Sequence, residues 1–304
     1  MLLANCYLKE IQMKKKYDNY VIMLIALLAV YAESHAAEVT PGDYEQVPGG
    51  TTLGLIYYQH ATTDSAYAQG SKIADDFKVE SDVGIFRFIH SFQLNDRTTI
   101  DPQFLLPFGK VSGKDNASSL GDTSGIGDVI FTAPVRYRLN DAKDIIAGAF
   151  YINAPTGTYD RDKPLNLGSN RWKLDFQGAY VKHFNPYWAL DLIGDVVWYS
   201  ENDDYGPTSA NLEQNLSFES QIMGRYMPDP TTSFGLGLGY NWGGETKIND
   251  VKQDNQIKTT NIRFTASKFF TAKDQLQVQL GKDLSVENGV KEDFRLNLRY
   301  LRIF

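Results

Sequence analysis

The chain closes on Phe294-Arg295-Leu296-Asn297-Leu298-Arg299-Tyr300-Leu301-Arg302-Ile303-Phe304. Apolar side chains fall at 294, 296, 298, 300 and 304; Arg, Asn and Arg stand at 295, 297 and 299. Strand side chains alternate faces, so this segment has one apolar face and one charged face. Such a strand can edge the sheet of a soluble protein or stand in the wall of a membrane barrel. The rest of the chain decides between them.

The opposite end points to export. Met13-Lys14-Lys15-Lys16 is a basic start, and an apolar run follows from Val21 to Tyr31. Ser34-His35-Ala36 then offers small residues where a signal peptidase reads, so residues 1–36 are expected to be a leader and secretory signal cut after Ala36. The true start is expected at Met13. The apolar run is too short to span a membrane as a helix. The single cysteine, Cys6, lies in the leader, so disulfides cannot support the mature chain and a lipid-anchored form is not expected. Loss of residues 1–36 removes four lysines and three acids, which moves the net charge from -7 to about -8. That balance argues against a nucleic-acid partner, which needs a basic patch. The remaining length suits one large domain.

Residues 37–50, with Pro41-Gly42 and Pro48-Gly49-Gly50, read as an irregular lead-in. It is too short for a full hatch. From 51 to 304 the hydrophobic period is 2, and turn residues punctuate it. Twelve strands are expected: about 51–60, 83–94, 98–108, 126–139, 145–155, 171–184, 187–200, 211–226, 232–243, 257–270, 275–285 and 291–304. In 232–243, Phe234, Leu236, Leu238, Tyr240 and Trp242 oppose Ser233, Gly235, Gly237, Gly239 and Asn241.

Loop lengths separate the two architectures. Long connections, near 61–82, 109–125, 156–170, 201–210, 244–256 and 286–290, alternate with short ones such as Asn185-Pro186. An antiparallel membrane barrel with both termini periplasmic needs an even strand count, short inner turns and longer outer loops. A soluble sandwich has no reason to sort its loops. On this topology Trp172, Trp198 and Trp242 reach the outer boundary and Trp188 the inner one, all on the apolar parity, as an aromatic girdle would.

The final strand with its terminal aromatic resembles the sorting signal of bacterial outer-membrane barrels, and Phe304 is its expected key residue; Arg302 departs from that pattern. Ser124-Gly125-Ile126-Gly127-Asp128-Val129, Asn153-Ala154-Pro155-Thr156-Gly157-Thr158-Tyr159-Asp160 and Asn166-Leu167-Gly168-Ser169-Asn170-Arg171-Trp172 resemble motifs of the phenol meta-pathway degradation family. Members of that family are outer-membrane proteins described as transporters, and the resemblance spans roughly 50–304. It implies an all-β barrel in the outer membrane, associated with aromatic-compound breakdown rather than catalysis.

The mature histidines, His60, His90 and His183, form no hydrolase-type constellation: none has a serine two residues on. No metal-ligand spacing and no phosphate loop is present, so no cofactor, metal or catalytic residue is expected. Acidic stretches such as Glu201-Asn202-Asp203-Asp204 read as solvated loop charge.

The inward parity collects both signs of charge. Asp128, Arg136, Arg138, Asp175, Asp191, Glu219, Arg225, Arg263 and Arg299 are the candidate pore-lining residues. On the lipid face each would cost about 2–4 kcal/mol at the midplane. The expected function is a channel for small molecules; the resemblance points to hydrophobic or aromatic ones. The alternative is a structural or adhesion barrel whose lumen charges pair with one another. Expected partners are membrane lipid, lipopolysaccharide and the barrel-assembly machinery.

Overall fold

The structure, a computed structural model, describes residues 39–304. The leader, Met13, Cys6 and the cleavage site lie outside these residues. Twelve long strands form the wall: β1 (Thr52–Ala68), β2 (Phe77–His90), β3 (Gln103–Asp115), β4 (Val129–Thr132 with Val135–Arg138), β5 (Ile145–Ala154), β6 (Lys173–Asn185), β7 (Trp188–Tyr199), β8 (Ser217–Asp229), β9 (Thr232–Gly243), β10 (Ile257–Phe269), β11 (Asp274–Val286) and β12 (Gly289–Ile303). Each pairs antiparallel with its sequence neighbours. β1 and β12 then pair from Leu53↔Ile303 to Tyr67↔Gly289 and close the ring. Closure leaves no sheet edge, which is what a strand structure in hydrocarbon requires.

The two faces of the wall are inverted relative to a soluble protein. Phe176 is 58% exposed while its neighbour Asp175 is 1% exposed. Ile56, Phe86, Leu236 and Leu276 share the outward face. Gln177, Gln279, Arg295 and Asn297 share the buried inward face. The period-2 pattern produces this arrangement directly, since one residue of register turns every side chain to the opposite face.

Several strand limits differ from the sequence expectation. β1 and β2 run on to Ala68 and from Phe77, where a long loop over 61–82 was expected. Above the hydrocarbon the hydrogen-bond ladder continues and only the outward side chains become polar; Thr62 pairs with Glu80 there. β3 likewise extends to Asp115, and a short strand, Asp122–Ile126, folds back on it. The expected strand over 211–226 is two: β8, and an Ala210–Gln214 segment in a separate four-stranded outer sheet with Asn202–Tyr205, Thr246–Ile248 and Val251–Lys252. β4 breaks at Ala133-Pro134, because proline offers no N–H to the ladder.

Aromatic side chains sort to the two ends of the wall. Trp172 donates its backbone N–H to Ser200 Oγ, 3.0 Å away, beside Trp198 at the top of β6 and β7. Trp242 stacks on Phe218 at the same level, with ring centroids 5.4 Å apart. Trp188 sits at the opposite end against Tyr226, at 4.7 Å. Phe304 donates its backbone N–H to the Thr52 carbonyl at 3.0 Å, and its ring lies over Gly54. Arg302 faces outward and pairs with Asp274 at 2.9 Å, which also accepts the Tyr300 hydroxyl.

Candidate functional site

The lumen is occupied from one end by the chain itself. Residues 39–50 have no regular structure and enter the barrel instead of leaving it. Val39 and Tyr44 pack with Ile145, Ala147, Ala179, Val181, Ile193 and Met223 of the inner wall. Val47 packs with Leu53, Leu55 and Ile89. Polar bonds tie the segment to the wall all round. Arg299 Nη1 donates to Asp43 Oδ1 at 2.6 Å and to Thr40 Oγ1 at 3.1 Å. Gly42 N–H donates to Asp191 Oδ2 at 2.9 Å. Arg136 Nη2 donates to the Asp43 carbonyl at 3.0 Å. Glu45 is held by Arg225 and by His183 Nε2, the latter at 2.9 Å. The Tyr44 hydroxyl donates to Gln177.

Two glycines make this insertion fit. A Cβ on Gly235 would lie 2.5 Å from Pro41 Cγ, so the small residue on the lumen face of β9 is the seat of the insert. Gly42 adopts φ +90, a conformation that favours glycine.

The charges of the insert are stabilised in place. Burial pushes the Asp43 carboxyl up, but the charges of Arg299 and Arg87 outweigh it and hold it below its ordinary value of 3.8. Burial likewise opposes ionisation of Glu45, while the hydrogen bond from His183 and the charge of Arg225 bring it below 4.5.

The outer mouth is crossed by a second segment. The 156–170 loop leaves β5 and returns to β6, yet its Leu165 packs with Ala66, Phe77, Val79 and Val290. Those residues belong to β1, β2 and β12, on the far side of the ring, so the loop spans the opening. Asp128 holds its base: Oδ1 accepts the Gly157 N–H at 2.8 Å, and Oδ2 accepts the Ser169 N–H and hydroxyl at 2.9 and 2.6 Å. Thr158 N–H donates to the Ile126 carbonyl at 2.8 Å. The three glycine-containing motifs thus converge in one knot at the outer rim. Tyr159 and Arg161 extend it to Asp204 of the outer sheet.

The sequence-derived lumen residues therefore fall into distinct settings. Arg136, Arg225, Asp191 and Arg299 contact the insert. Arg136 also pairs with Asp101, and Arg225 with Asp191 at 2.9 Å. Arg263 pairs with Glu292 at 3.1 Å. Asp175 and Glu219 are buried on the inward faces of β6 and β8. Asp128 clamps the outer loop, and Arg138 donates to the Asp96 carbonyl at the inner turn, at 2.9 Å. Sequence reasoning missed the roles of Asp43, Glu45 and Tyr44. Their signal was a stretch carrying charge and an aromatic between two Pro-Gly turns.

Among the described residues no group of three His, Cys, Asp or Glu side chains could hold a metal ion. His60 bonds Asp82, His90 bonds Thr52 and His183 bonds Glu45.

Comparison with known proteins agrees with this architecture. Residues 62–300 match the family described as "Putative MetA-pathway of phenol degradation". The chain belongs to this family. A solved outer membrane channel from Pseudomonas putida F1 is 61% identical to this phenol-degradation-family chain, with a TM-score of 0.87 over 88% of this chain and 100% of that one. The β domain of the Bordetella autotransporter BrkA shares the barrel fold at 7% identity, with a TM-score of 0.52 over 84% of this chain and 100% of that one. The CymD monoaromatic hydrocarbon channel is similar at 12% identity, with a TM-score of 0.49 over 86% and 90% of the two chains. No curated protein matches. The protein is a twelve-stranded barrel of the bacterial outer membrane, and a solved relative at 61% identity is an outer membrane channel.

Proposed function

We propose that the protein is a gated channel for small hydrophobic or aromatic molecules, with both termini in the periplasm. One observation carries the gating: two chain segments, 39–50 and 156–170, pack within the lumen and across its mouth. The insert at 39–50 and the loop at 156–170 are held by side-chain bonds that can be exchanged for water, whereas the wall is held by a closed ladder. Movement of either segment widens the path without disturbing the barrel. Arg136, Arg225, Asp191 and Arg299 then act as anchors of the gate, and Asp175, Glu219 and Arg263 line the path beyond it. The chemistry is passage, with no bond made or broken. The four tryptophans form the aromatic girdle, and the terminal strand with Phe304 addresses the barrel-assembly machinery. Lipopolysaccharide is the expected neighbour of the outer leaflet surface.

A specific observation favours the alternative of a structural or adhesion barrel. Wall charges pair among themselves, as in Arg136–Asp101 and Glu292 with Arg263 and Arg295. Reconstitution separates the two. Liposome uptake of phenols and aromatic acids, increased by deletion of 39–50, supports the channel. No uptake by either the full chain or the deletion variant supports the structural barrel.

A further inference from the structure

The arginines of the lumen are not equivalent. Arg136, Arg225, Arg263, Arg295 and Arg299 each have a carboxylate within ion-pair distance. Arg87 has none among the described residues. It sits on the inward face of β2, and its cross-strand neighbours are Leu55 on β1 and Leu105 on β3. Neither can supply a counter-charge. Its hydrogen bonds go to neutral groups: Nε to Gln103 Oε1 at 2.5 Å, and Nη1 to the Tyr57 hydroxyl at 3.2 Å. The charge of Asp43 reaches it, but that carboxylate is bonded to Arg299. Arg87 is half-buried, so lumen contents can reach it.

We propose that Arg87 and Tyr57 form a site for the carboxylate of a small aromatic acid in the lumen. A guanidinium carries five donors in a planar fork, and a carboxylate accepts two of them side by side. The Nη2 group of Arg87 has no partner among the described residues and supplies one arm of such a contact. The Tyr57 hydroxyl accepts from Arg87, so its own proton is free for the same anion. Among the described residues Arg87 has no carboxylate in ion-pair contact, so an arriving carboxylate gains a charge-assisted hydrogen bond that no wall residue already takes. The phenol ring of Tyr57, whose hydroxyl accepts from Arg87, gives the ring of the solute an aromatic neighbour. This inference rests on the channel function and names the solute class it favours.

The test is ligand-observed saturation-transfer NMR on the detergent-purified full chain, with benzoate, benzyl alcohol and benzylamine as probes. Wild type is expected to bind benzoate more tightly than the other two. Arg87→Gln should weaken benzoate about tenfold or more, the scale of one charge-assisted hydrogen-bonded pair, and leave benzyl alcohol unchanged. Arg87→Lys, which keeps the charge, should retain part of the preference, and Tyr57→Phe should weaken benzoate while the barrel stays folded. Equal benzoate affinity in wild type and in Arg87→Gln or Tyr57→Phe overturns the site, as does a wild type that binds benzyl alcohol as well as benzoate. Arg87-dependent benzoate binding without liposome flux supports the site and defeats the channel function.

Discussion

The Glu45→Ala substitution is the most direct probe of the gate. Glu45 is the insert residue that bridges Arg225 and His183. Its removal leaves Arg225 paired with Asp191, so no wall charge is stranded. Hydrogen bonds to charged groups contribute about 1.5–3 kcal/mol. The Glu45 side chain is 37% exposed, and solvent screening reduces that figure to ~1–2 kcal/mol. The docked-to-undocked ratio of the insert should then fall by a factor of about 5–30. Single-channel recording in planar bilayers at neutral pH reads this ratio as the open fraction. Heat-modifiable migration checks that the barrel itself is intact. An open fraction within about twofold of wild type, with deletion of 39–50 also silent, would refute the assignment of this segment as the gate.

Four further outcomes are expected. Asp43 and Glu45 are held below their ordinary values of 3.8 and 4.5 when docked, so their stabilisation of the insert is complete above those values and disappears as pH falls through the lowered ones; conductance should rise below about pH 4. Gly235→Val places a branched side chain against Pro41 and should expel the insert, read as faster maleimide labelling of a Val47→Cys reporter. Asp128→Ala removes three bonds to the outer loop, a loss of about 1–3 kcal/mol, and should speed tryptic cleavage at Arg161 without changing heat-modifiability; unchanged cleavage would free Asp128 of the clamping role. Deleting Phe304 removes the ring over Gly54 and the bond to Thr52, and folded barrel recovered from outer membranes should decrease.

The wall was legible because its code is local. Alternation in 232–243 or 294–300 requires no knowledge of neighbours, since the strand period alone sends Phe234 to lipid and Asn297 to the lumen. Long and short loops likewise ordered the strands. Strand ends such as 61–68 are not legible in this way, because polar side chains look like a loop in the sequence while the ladder does not depend on them.

The contents of the lumen depended on tertiary structure. Closure of β1 on β12 brings Arg299 opposite Asp43, 256 positions away, and Arg225 to Glu45, 180 positions away. No period in the sequence encodes such a meeting. Inward parity marks Arg87, Arg136 and Arg225 alike; which of them anchors the insert and which keeps an open donor depends on where the irregular 39–50 segment lies within the ring. Asp128 shows the same division, with its motif visible in the chain and its partners, Gly157 and Ser169, supplied by a loop that crosses the mouth. A strand's faces follow from the backbone repeat of each residue, whereas the pairing of charges across a lumen follows from the diameter and closure of the whole ring.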